Sequence, residues 1–528
     1  MAIELTADAK TAGVNLAHFW SLCVGAGRAN EGLRAGWRQQ LKEAVRACGF
    51  RYIRFHGLFH DDMFVYRIVS GKVVYNFQYV DDLFDALLEM GIRPFVELGF
   101  CPSSLARDRG TVFWWKANGA PPTDYAQWGE LVGRTVRHWV ERYGIEEVRT
   151  WYFEVWNEPN LSFFFKGTRA EYFELYRVSV QAIKAVDSQL RVGGPATSNF
   201  VSDGRFDGET EGAAGERSEG TDMESRPWRP VWINEFLSFC AREKLPVDFV
   251  STHPYPTDWA LDEKGRGSTY IRGVDATRKD LSLLNDMIRA SAFPKAEIHL
   301  TEWNSSPSPR DFTHDYLQAA TFIVKVNLES IGLVDSLAYW TFTDVFEESG
   351  AGDVPFHGGF GMINYQGIWK PSFHAYRLLN TLGDELLARH TGGGVGGVIT
   401  RAKATGKIAA LVYNYPAEVK QAVPASFDTR DIADQTLTRG HAELVELKLT
   451  GLRPGAPVMI ETLSRGNGDV MATWRAMGMP AVLSREQTDA VRHAGQATLK
   501  EQAQADGTGR LIVKRELDAW GVMSVREV

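Results

Sequence analysis

The stretch TWYFEVWNEPN, residues 150–160, shows the unit from which the fold is built. Its first seven residues are mostly aromatic or β-branched, which favours a buried strand. The strand ends in the polar turn Asn-Glu-Pro-Asn, and apolar residues at helical spacing follow at about 170–186. A strand that leads through a polar loop into a helix is the repeating unit of parallel α/β folds.

The same unit is predicted eight times between residues 14 and 390. Strands are predicted at 14–19, 52–57, 92–100, 150–156, 191–196, 247–255, 297–303 and 336–343. Helices are predicted at about 33–48, 80–91, 128–143, 170–186, 231–243, 275–291, 314–331 and 372–388. Eight strands, each followed by a helix, predict a (β/α)8 TIM barrel. A doubly wound open sheet is the competing α/β architecture, and the count of eight disfavours it.

Two regions depart from this pattern. Residues 202–230 are rich in Gly, Glu, Ser and Arg, which predicts a long solvated loop inserted into the barrel of residues 14–390. After residue 391 the helical periodicity gives way to β alternation, as in residues 445–449. Residues 391–528 are therefore predicted to form an antiparallel, sandwich-like β accessory domain, to which residues 1–13 are candidates for one more strand.

Composition excludes several classes of protein. The 528 residues carry 58 basic and 66 acidic side chains, a net charge of −8, without the basic stripe that nucleic-acid binding needs. The first residues lack the basic and apolar regions of a secretory signal, and no apolar run reaches the roughly 18 to 20 residues of a membrane span. Four widely spaced cysteines do not form a disulfide framework. We expect a reduced, cytoplasmic protein whose oligomeric state the sequence leaves open.

Two motifs that suggest a cofactor or a metal do not have the required context. Gly392, Gly394 and Gly397 match G-x-G-x-x-G, but they follow a predicted helix and precede a strand, whereas a dinucleotide site needs a strand, a loop and then a helix. His56 and His60 are four residues apart but lie beyond a strand rather than on a helix. No cofactor and no metal are predicted.

Two glutamates indicate the chemistry. Active sites of such barrels lie at the carboxyl ends of the strands, where Glu158 follows strand four and Glu302 lies in strand seven. Cleavage of a glycosidic bond needs two carboxyl groups, one to protonate the leaving oxygen and one to attack or to activate water. A single glutamate there could merely pair with an arginine, but two on facing strands, both beside Trp and Asn, favour catalysis.

The motifs around these glutamates resemble those of clan A glycoside hydrolases. Trp156-Asn157-Glu158-Pro159 and Thr301-Glu302-Trp303 carry this resemblance. A wider set of motifs resembles glycoside hydrolase family 39, whose members include β-D-xylosidases and α-L-iduronidases. These motifs are Gly25-Ala26-Gly27-Arg28-Ala29, Glu31-Gly32-Leu33-Arg34, Arg54-Phe55-His56-Gly57 and Thr252-His253-Pro254-Tyr255. The resemblance extends over roughly residues 10–520.

The resemblance implies a retaining mechanism and a role for each matching residue. Glu302 would be the nucleophile and Glu158 the acid/base, while Asn157 would bind the sugar 2-hydroxyl. Tyr255 and Arg54 would keep Glu302 ionised. The remaining expected substrate contacts are His56 and His253 to sugar hydroxyls, Trp340 as a platform under the ring, and either Glu347 or Glu348 to a further hydroxyl.

The first predicted function is a β-xylosidase that releases xylose from the non-reducing end of short xylo-oligosaccharides. An α-L-iduronidase or another β-glycosidase of the family is the alternative, and iduronate would need a cationic group for its carboxylate. An inactive carbohydrate-binding barrel is the alternative from another class, against which the presence of both glutamates argues. The expected partner is a small oligosaccharide, with no nucleic acid and no membrane.

Overall fold

A computed structural model describes residues 2–198, 200, 230–261, 267–423 and 429–528. The loop insertion predicted at 202–230 lies, apart from its last residue, outside these described residues. Among the helices that are described, none combines the length and the apolar character that crossing a membrane requires.

Eight parallel strands close into a barrel, which confirms the predicted fold class. They are Cys23–Arg28, Tyr52–His56, Arg93–Leu98, Tyr152–Val155, Arg191–Thr197, Phe249–Thr252, Glu297–Trp303 and Ser336–Tyr339. The prediction of the first strand at 14–19 is wrong: of those residues, Val14–Asn15 form a short strand outside the barrel. The other seven strands lie within the predicted ranges or one residue beyond them.

Helices surround the barrel where their apolar stripes predict them. They are Ala35–Cys48, Gln78–Glu89, Tyr125–Tyr143, Ile145–Val148, Arg169–Val186, Val231–Glu243, Ala276–Ala290, Leu317–Glu329 and Pro371–Leu379. Local chemistry sets their ends. Thr168 and Glu171 form a reciprocal capping box at the start of Arg169–Val186, and Gly49 ends Ala35–Cys48 with φ 73°. The last helix is shorter than its predicted range of 372–388, because residues 385–390 belong to a strand.

The accessory region consists mainly of two sheets. The larger has seven strands, in the order Val14–Asn15, Glu385–His390, Val395–Arg401, Ile408–Asn414, Val522–Glu527, Pro457–Leu463 and Leu499–Gln504. The smaller has Ile3–Asp8 beside Glu443–Thr450, which in turn pairs with Leu511–Leu517. Leu5, Val445, Ile399 and Ile460 belong to one shared core between the sheets.

Shorter elements complete the chain. Three helices in the accessory region, Arg430–Leu437, Val470–Ala476 and Arg485–Gln496, correct the expectation that helical structure stops at 391. Short 3-10 helices occur at Phe19–Ser21, Ala29–Leu33, Asp61–Met63 and Phe312–Asp315. Three hairpins pair Tyr66–Val69 with Lys72–Tyr75, Thr111–Val112 with Ala117–Asn118, and Thr257–Leu261 with Gly267–Ile271.

Packing inside the barrel leaves only one end available for a site. Aromatic side chains near the strand starts, including Phe95, Tyr152 and Phe249, contact one another and fill the amino-terminal end. Arg54, Glu97 and Glu154 lie further along their strands, toward the carboxyl ends.

Candidate active site

Two buried carboxyl groups lie close together at the carboxyl ends of strands four and seven. Glu158 and Glu302 are each 6% exposed, and each has an oxygen within 4.8 Å of one on the other. Glu158 stands in a tight turn after Tyr152–Val155, with φ 44°, and its backbone N–H donates to the carbonyl of Ala196 at 2.8 Å. A positive φ at a non-glycine residue is costly and is found mainly where the surrounding structure fixes a functional group.

Two hydrogen-bond donors and a nearby histidine surround Glu302. Nη1 of Arg54 donates to its Oε1 at 2.6 Å, the Tyr255 hydroxyl donates to its Oε2 at 3.2 Å, and Nε2 of His56 lies 3.5 Å from Oε1. Burial raises the pKa of Glu302, and Glu348 adds to the rise, while the positive charges of Arg54 and His56 oppose it. The donors therefore favour the carboxylate in a place where burial alone would keep it protonated.

Arg54 is the centre of the buried charge network. Besides Glu302, its guanidinium donates to Glu154 at 2.6 Å and to Oδ1 of Asn157 at 2.8 Å, and it lies 3.0 Å from Glu97. Its side chain is fully buried, and a planar fork of five N–H groups is the group that can satisfy several acceptors at once. The contact also fixes Asn157, because the Oδ1 atom that accepts from Arg54 leaves the amide nitrogen as the donor end.

Glu158 has a different environment. Its Oε1 lies 3.0 Å from Nδ1 of His253, whose Nε2 lies 2.8 Å from the Thr301 hydroxyl. Burial lowers the pKa of His253 well below its usual value, and the charges of Arg54 and His56 lower it further. A neutral imidazole thus faces Glu158, whereas a guanidinium faces Glu302.

A pocket of about 210 Å³ opens above the two glutamates. It is lined by His56, Phe113, Asn157, Glu158, Leu161, Phe163, Phe164, Ser198, Tyr255, Glu302, Pro307, Pro309, Trp340, Glu348, Ser349 and Phe360. Flat apolar faces with a few convergent polar groups are typical of small-molecule sites, and the volume suits a single sugar ring better than a long chain. Neither lysine nor arginine is among the described residues that line it.

His56 and Trp340 form one wall of this pocket. Their ring centroids are 4.9 Å apart, and Nδ1 of His56 donates to Glu97 at 2.5 Å. Burial opposes the charged form of His56, but Glu97, Glu348 and Glu302 outweigh it and raise the pKa to about 10. His56 is therefore an imidazolium at neutral pH, with Nε2 directed between Glu302 and Glu348.

The structure distinguishes Glu347 from Glu348, between which the sequence did not decide as a substrate contact. Glu348 lines the pocket with its Oε1 3.5 Å from Nε2 of His56. Glu347 turns away and accepts from Arg28 at 2.7 Å and from Arg34 at 2.6 Å. Of the residues predicted for the site, Arg54 and His253 support the two carboxyl groups from below without lining the pocket, and the others apart from Glu347 line it. Their catalytic roles stay predictions.

Sequence reasoning missed Glu97, Glu154 and Thr301 as parts of this site. Each is a polar residue inside a barrel strand, and each is fully or almost fully buried. A charged residue within a buried strand is itself a signal, because a buried charge needs a partner of opposite charge. The aromatic lining by Phe113 and Phe360 comes from loops and left no such signal.

The ligand atoms of Glu158, His253 and Glu302 lie close enough together for a metal ion, but each already has a hydrogen-bond partner within the protein.

A larger cavity of about 700 Å³ lies between the helices Ala276–Ala290 and Leu317–Glu329 and the larger accessory sheet. Its acidic residues, Asp275 and Glu329, both pair with Lys325. That cavity therefore offers no second pair of catalytic carboxyl groups.

Comparison with known proteins gives consistent matches along the chain. The family model described as "Glycosyl hydrolases family 39" matches residues 1–204 and 228–511. A beta-xylosidase of Caldicellulosiruptor saccharolyticus is 37% identical over 513 residues, 97% of this chain and 92% of the relative. The structure of the GH39 enzyme from Xanthomonas axonopodis pv. citri has a TM-score of 0.85 at 34% identity, covering 100% of this chain and 98% of that one. A monomeric beta-xylosidase from Caulobacter crescentus CB15 has a TM-score of 0.84 at 34% identity, covering 99% of both chains.

Proposed function

Because this chain belongs to glycosyl hydrolases family 39, we propose that it is a β-D-xylosidase that releases xylose from the non-reducing end of short xylo-oligosaccharides with retention of configuration. The observation that carries the proposal is the pair Glu158 and Glu302, with oxygens within 4.8 Å of each other at the carboxyl end of the barrel. Retaining glycosidases place their carboxyl groups about 5 to 5.5 Å apart, and inverting ones leave about 6.5 to 9.5 Å for a water molecule.

In the first step, an oxygen of Glu302 attacks the anomeric carbon while Glu158 gives its proton to the leaving oxygen. The glycosidic C–O bond breaks, and an ester bond to Glu302 forms. Arg54 and Tyr255 hold the Glu302 carboxylate in place before attack. The amide of Asn157, oriented by Arg54, donates to the 2-hydroxyl of the sugar, a hydrogen bond that strengthens in the transition state.

In the second step, water attacks the anomeric carbon and gives a proton to Glu158, while the bond to Glu302 breaks. Glu302 carries no negative charge while it is esterified, so the electrostatic repulsion on an ionised Glu158 is smaller than in the free enzyme. Glu158 can therefore act as an acid in one step and as a base in the next.

The pocket lining favours a neutral sugar over a uronic acid. An α-L-iduronidase must bind the carboxylate of its substrate, for which arginine or lysine is the usual partner. The described lining holds neither, and Arg54 beneath it is already occupied by Glu154, Glu302 and Asn157. The cation that does line the pocket, His56, is paired with Glu97 and faces Glu348.

A panel of nitrophenyl glycosides tests the sugar: β-xyloside, α-arabinoside, β-glucoside and α-iduronide. We expect the highest kcat/KM on the β-xyloside, and preference for the iduronide would contradict the proposal. Proton NMR of the first product formed should show the β-anomer. Hydrolysis of none of the four would instead support the alternative of an inactive carbohydrate-binding barrel.

Glu302→Gly tests the nucleophile. The variant should lose hydrolysis, and azide should restore turnover to an α-glycosyl azide, because the small anion takes the place of the missing carboxylate. Full activity without azide would exclude Glu302 as the nucleophile. Glu347→Gln, outside the pocket, is the matched control and should need no azide.

The cytoplasmic location belongs to the same proposal. All four cysteines, Cys23, Cys48, Cys101 and Cys240, are free and buried, which agrees with a reducing compartment. Only oligosaccharides small enough to be imported would reach an enzyme there. Fractionation of cells that express the chain tests this location.

A further inference from the structure

A chain of hydrogen bonds leads from Glu158 into the buried interior of the barrel. Oε1 of Glu158 is 3.0 Å from Nδ1 of His253, and Nε2 of His253 is 2.8 Å from Oγ1 of Thr301. Thr301 in turn lies 2.7 Å from Oε1 of Glu154. His253, Thr301 and Glu154 are all 0% exposed, so water does not compete for these contacts.

The far end of the chain determines its direction. Both side-chain oxygens of Glu154 accept hydrogen bonds, Oε2 from Nε of Arg54 at 2.6 Å and Oε1 from the Thr301 hydroxyl at 2.7 Å. The single hydroxyl proton of Thr301 must therefore point to Glu154. Oγ1 of Thr301 is then an acceptor for its other neighbour, and His253 carries a proton on Nε2.

His253 has no second proton. Burial lowers its pKa well below the usual value, with Arg54 and His56 acting in the same direction. In a neutral imidazole one nitrogen donates and the other accepts. Nδ1 therefore presents a lone pair to Glu158, and a contact of 3.0 Å between a lone pair and a carboxyl oxygen is favourable when that oxygen bears the proton.

We propose that Glu154, Thr301 and His253 hold Glu158 in its protonated form before the glycosidic bond breaks, with Thr301 as the positioning residue that selects the tautomer of His253. The proposal rests on the proposed function, since it names Glu158 as the acid. It also explains the second step. A Glu158 carboxylate facing a lone pair is disfavoured and takes a proton from water readily.

Other charged and titratable groups face Glu158 and His253, and none of them supplies the missing proton at Nδ1 of His253. They are Arg54 and His56 from the second strand, Tyr255 after the sixth, Glu302 from the seventh and Glu348 after the eighth. Oε2 of Glu302 lies 3.9 Å from Nδ1 of His253 and already accepts from Tyr255.

Thr301→Val tests the proposal, because it removes the hydroxyl at nearly constant shape. Without an acceptor at Nε2, His253 can adopt the other tautomer and donate from Nδ1 to a Glu158 carboxylate. The alkaline limb of the kcat/KM profile should then move down by about one pH unit, since a hydrogen bond to the charged form favours that form. On that limb the kcat/KM for a phenyl glycoside should fall by up to about tenfold, while a dinitrophenyl glycoside, which needs no acid, should change little.

Two further variants separate this effect from simple destabilisation. Thr301→Ser keeps the hydroxyl and should restore the wild-type alkaline limb. Thr252→Val removes a buried hydroxyl that bonds Thr197 in the adjacent strand, so it should lower stability without moving the limb. An alkaline limb in Thr301→Val equal to that of the wild type, with equal losses on both substrates, would overturn the proposal.

Neutron diffraction of the deuterated wild-type protein near pH 6 tests the chain without using activity. Deuterium on Nε2 of His253 and on the Glu158 carboxyl, with none on Nδ1, is the expected result. Deuterium on Nδ1 would overturn the proposed chain. If the wild type cleaves no glycoside at all, the proposed function fails, and the positions of the deuterium atoms still decide the direction of the chain.

Discussion

Arg54→Lys should make the nucleophile harder to ionise. The substitution keeps a positive charge inside the barrel but replaces the planar fork, which now bonds Glu154, Glu302 and Asn157 at 2.6, 2.6 and 2.8 Å. One ammonium group cannot hold all three in that geometry. We expect the lysine to stay with Glu154, the deeper of the two carboxyl groups, and to lose its contact with Glu302.

The size of the effect follows from the contact that is lost. A hydrogen bond between charged groups contributes about 1.5 to 3 kcal/mol. At about 1.4 kcal/mol for each pKa unit, this corresponds to one to two units. Losing a donor to the carboxylate disfavours the ionised form, so a higher pH is needed to ionise Glu302. The acid limb of the kcat/KM profile, which reports ionisation of the nucleophile in the free enzyme, should therefore move up by about one to two pH units.

The assay is the pH dependence of kcat/KM on a nitrophenyl glycoside, with circular dichroism to establish that each variant is folded. Arg28→Lys is the matched control, since Arg28 is also a buried arginine but pairs with Asp62 and Glu347 rather than with Glu302. The control should lose stability and keep the wild-type acid limb. A folded Arg54→Lys protein with an unshifted acid limb would refute the role given to Arg54.

Two further predictions concern carboxyl groups. Glu158→Ala should slow phenyl glycosides far more than dinitrophenyl glycosides, because only the former need a proton on the leaving oxygen; steady-state kinetics on both decides, and equal losses would contradict the acid role. Glu31 is fully buried, and burial together with the charge of Glu347 raises its pKa from 4.5 to about 8. Between these two pH values Glu31 is therefore protonated in the folded protein and ionised in the unfolded chain. Stability should fall by about 1.4 kcal/mol per pH unit across that window, and Glu31→Gln should remove this slope in urea unfolding experiments from pH 5 to 8; an unchanged slope would contradict the assignment.

The barrel could be predicted because seven of its strands are apolar runs that alternate with amphipathic helices. The first strand was misplaced for a physical reason. Cys23–Arg28 has the sequence CVGAGR, whose small residues have low strand propensity. Its glycines are required by packing: a Cβ on Gly25 would lie 2.4 Å from Cε3 of Trp340, and one on Gly27 would lie 2.5 Å from a Glu31 oxygen. Glu31 is only four residues from Gly27 in the chain, but Trp340 is more than 300 residues from Gly25. Only the folded structure brings Trp340 into contact with Gly25.

Part of the candidate site could likewise be predicted from the sequence, and part could not. Glu158 and Glu302 could be found from their places at strand ends, because the carboxyl ends of parallel strands meet at one edge. The choice between Glu347 and Glu348 could not be made, since adjacent residues in an irregular loop point in directions that the sequence does not encode. The inward direction of Glu97 and Glu154 depends on the strand register, which brings Glu154 opposite Glu97.

Catalysis explains why the site contains so many buried ionisable groups. With Glu158 protonated, Glu97, Glu154, Glu302 and Glu348 remain as acidic groups around two cations, Arg54 and His56. Burying charges is costly, and replacing them with apolar residues often stabilises a protein, so stability alone does not account for the arrangement. Carboxylates beside the sugar have a catalytic use, because glycosidic bonds break through a transition state with positive charge on the sugar ring. Formation of the ester at Glu302 removes one of these negative charges once the positive transition state has passed, and the next step restores it.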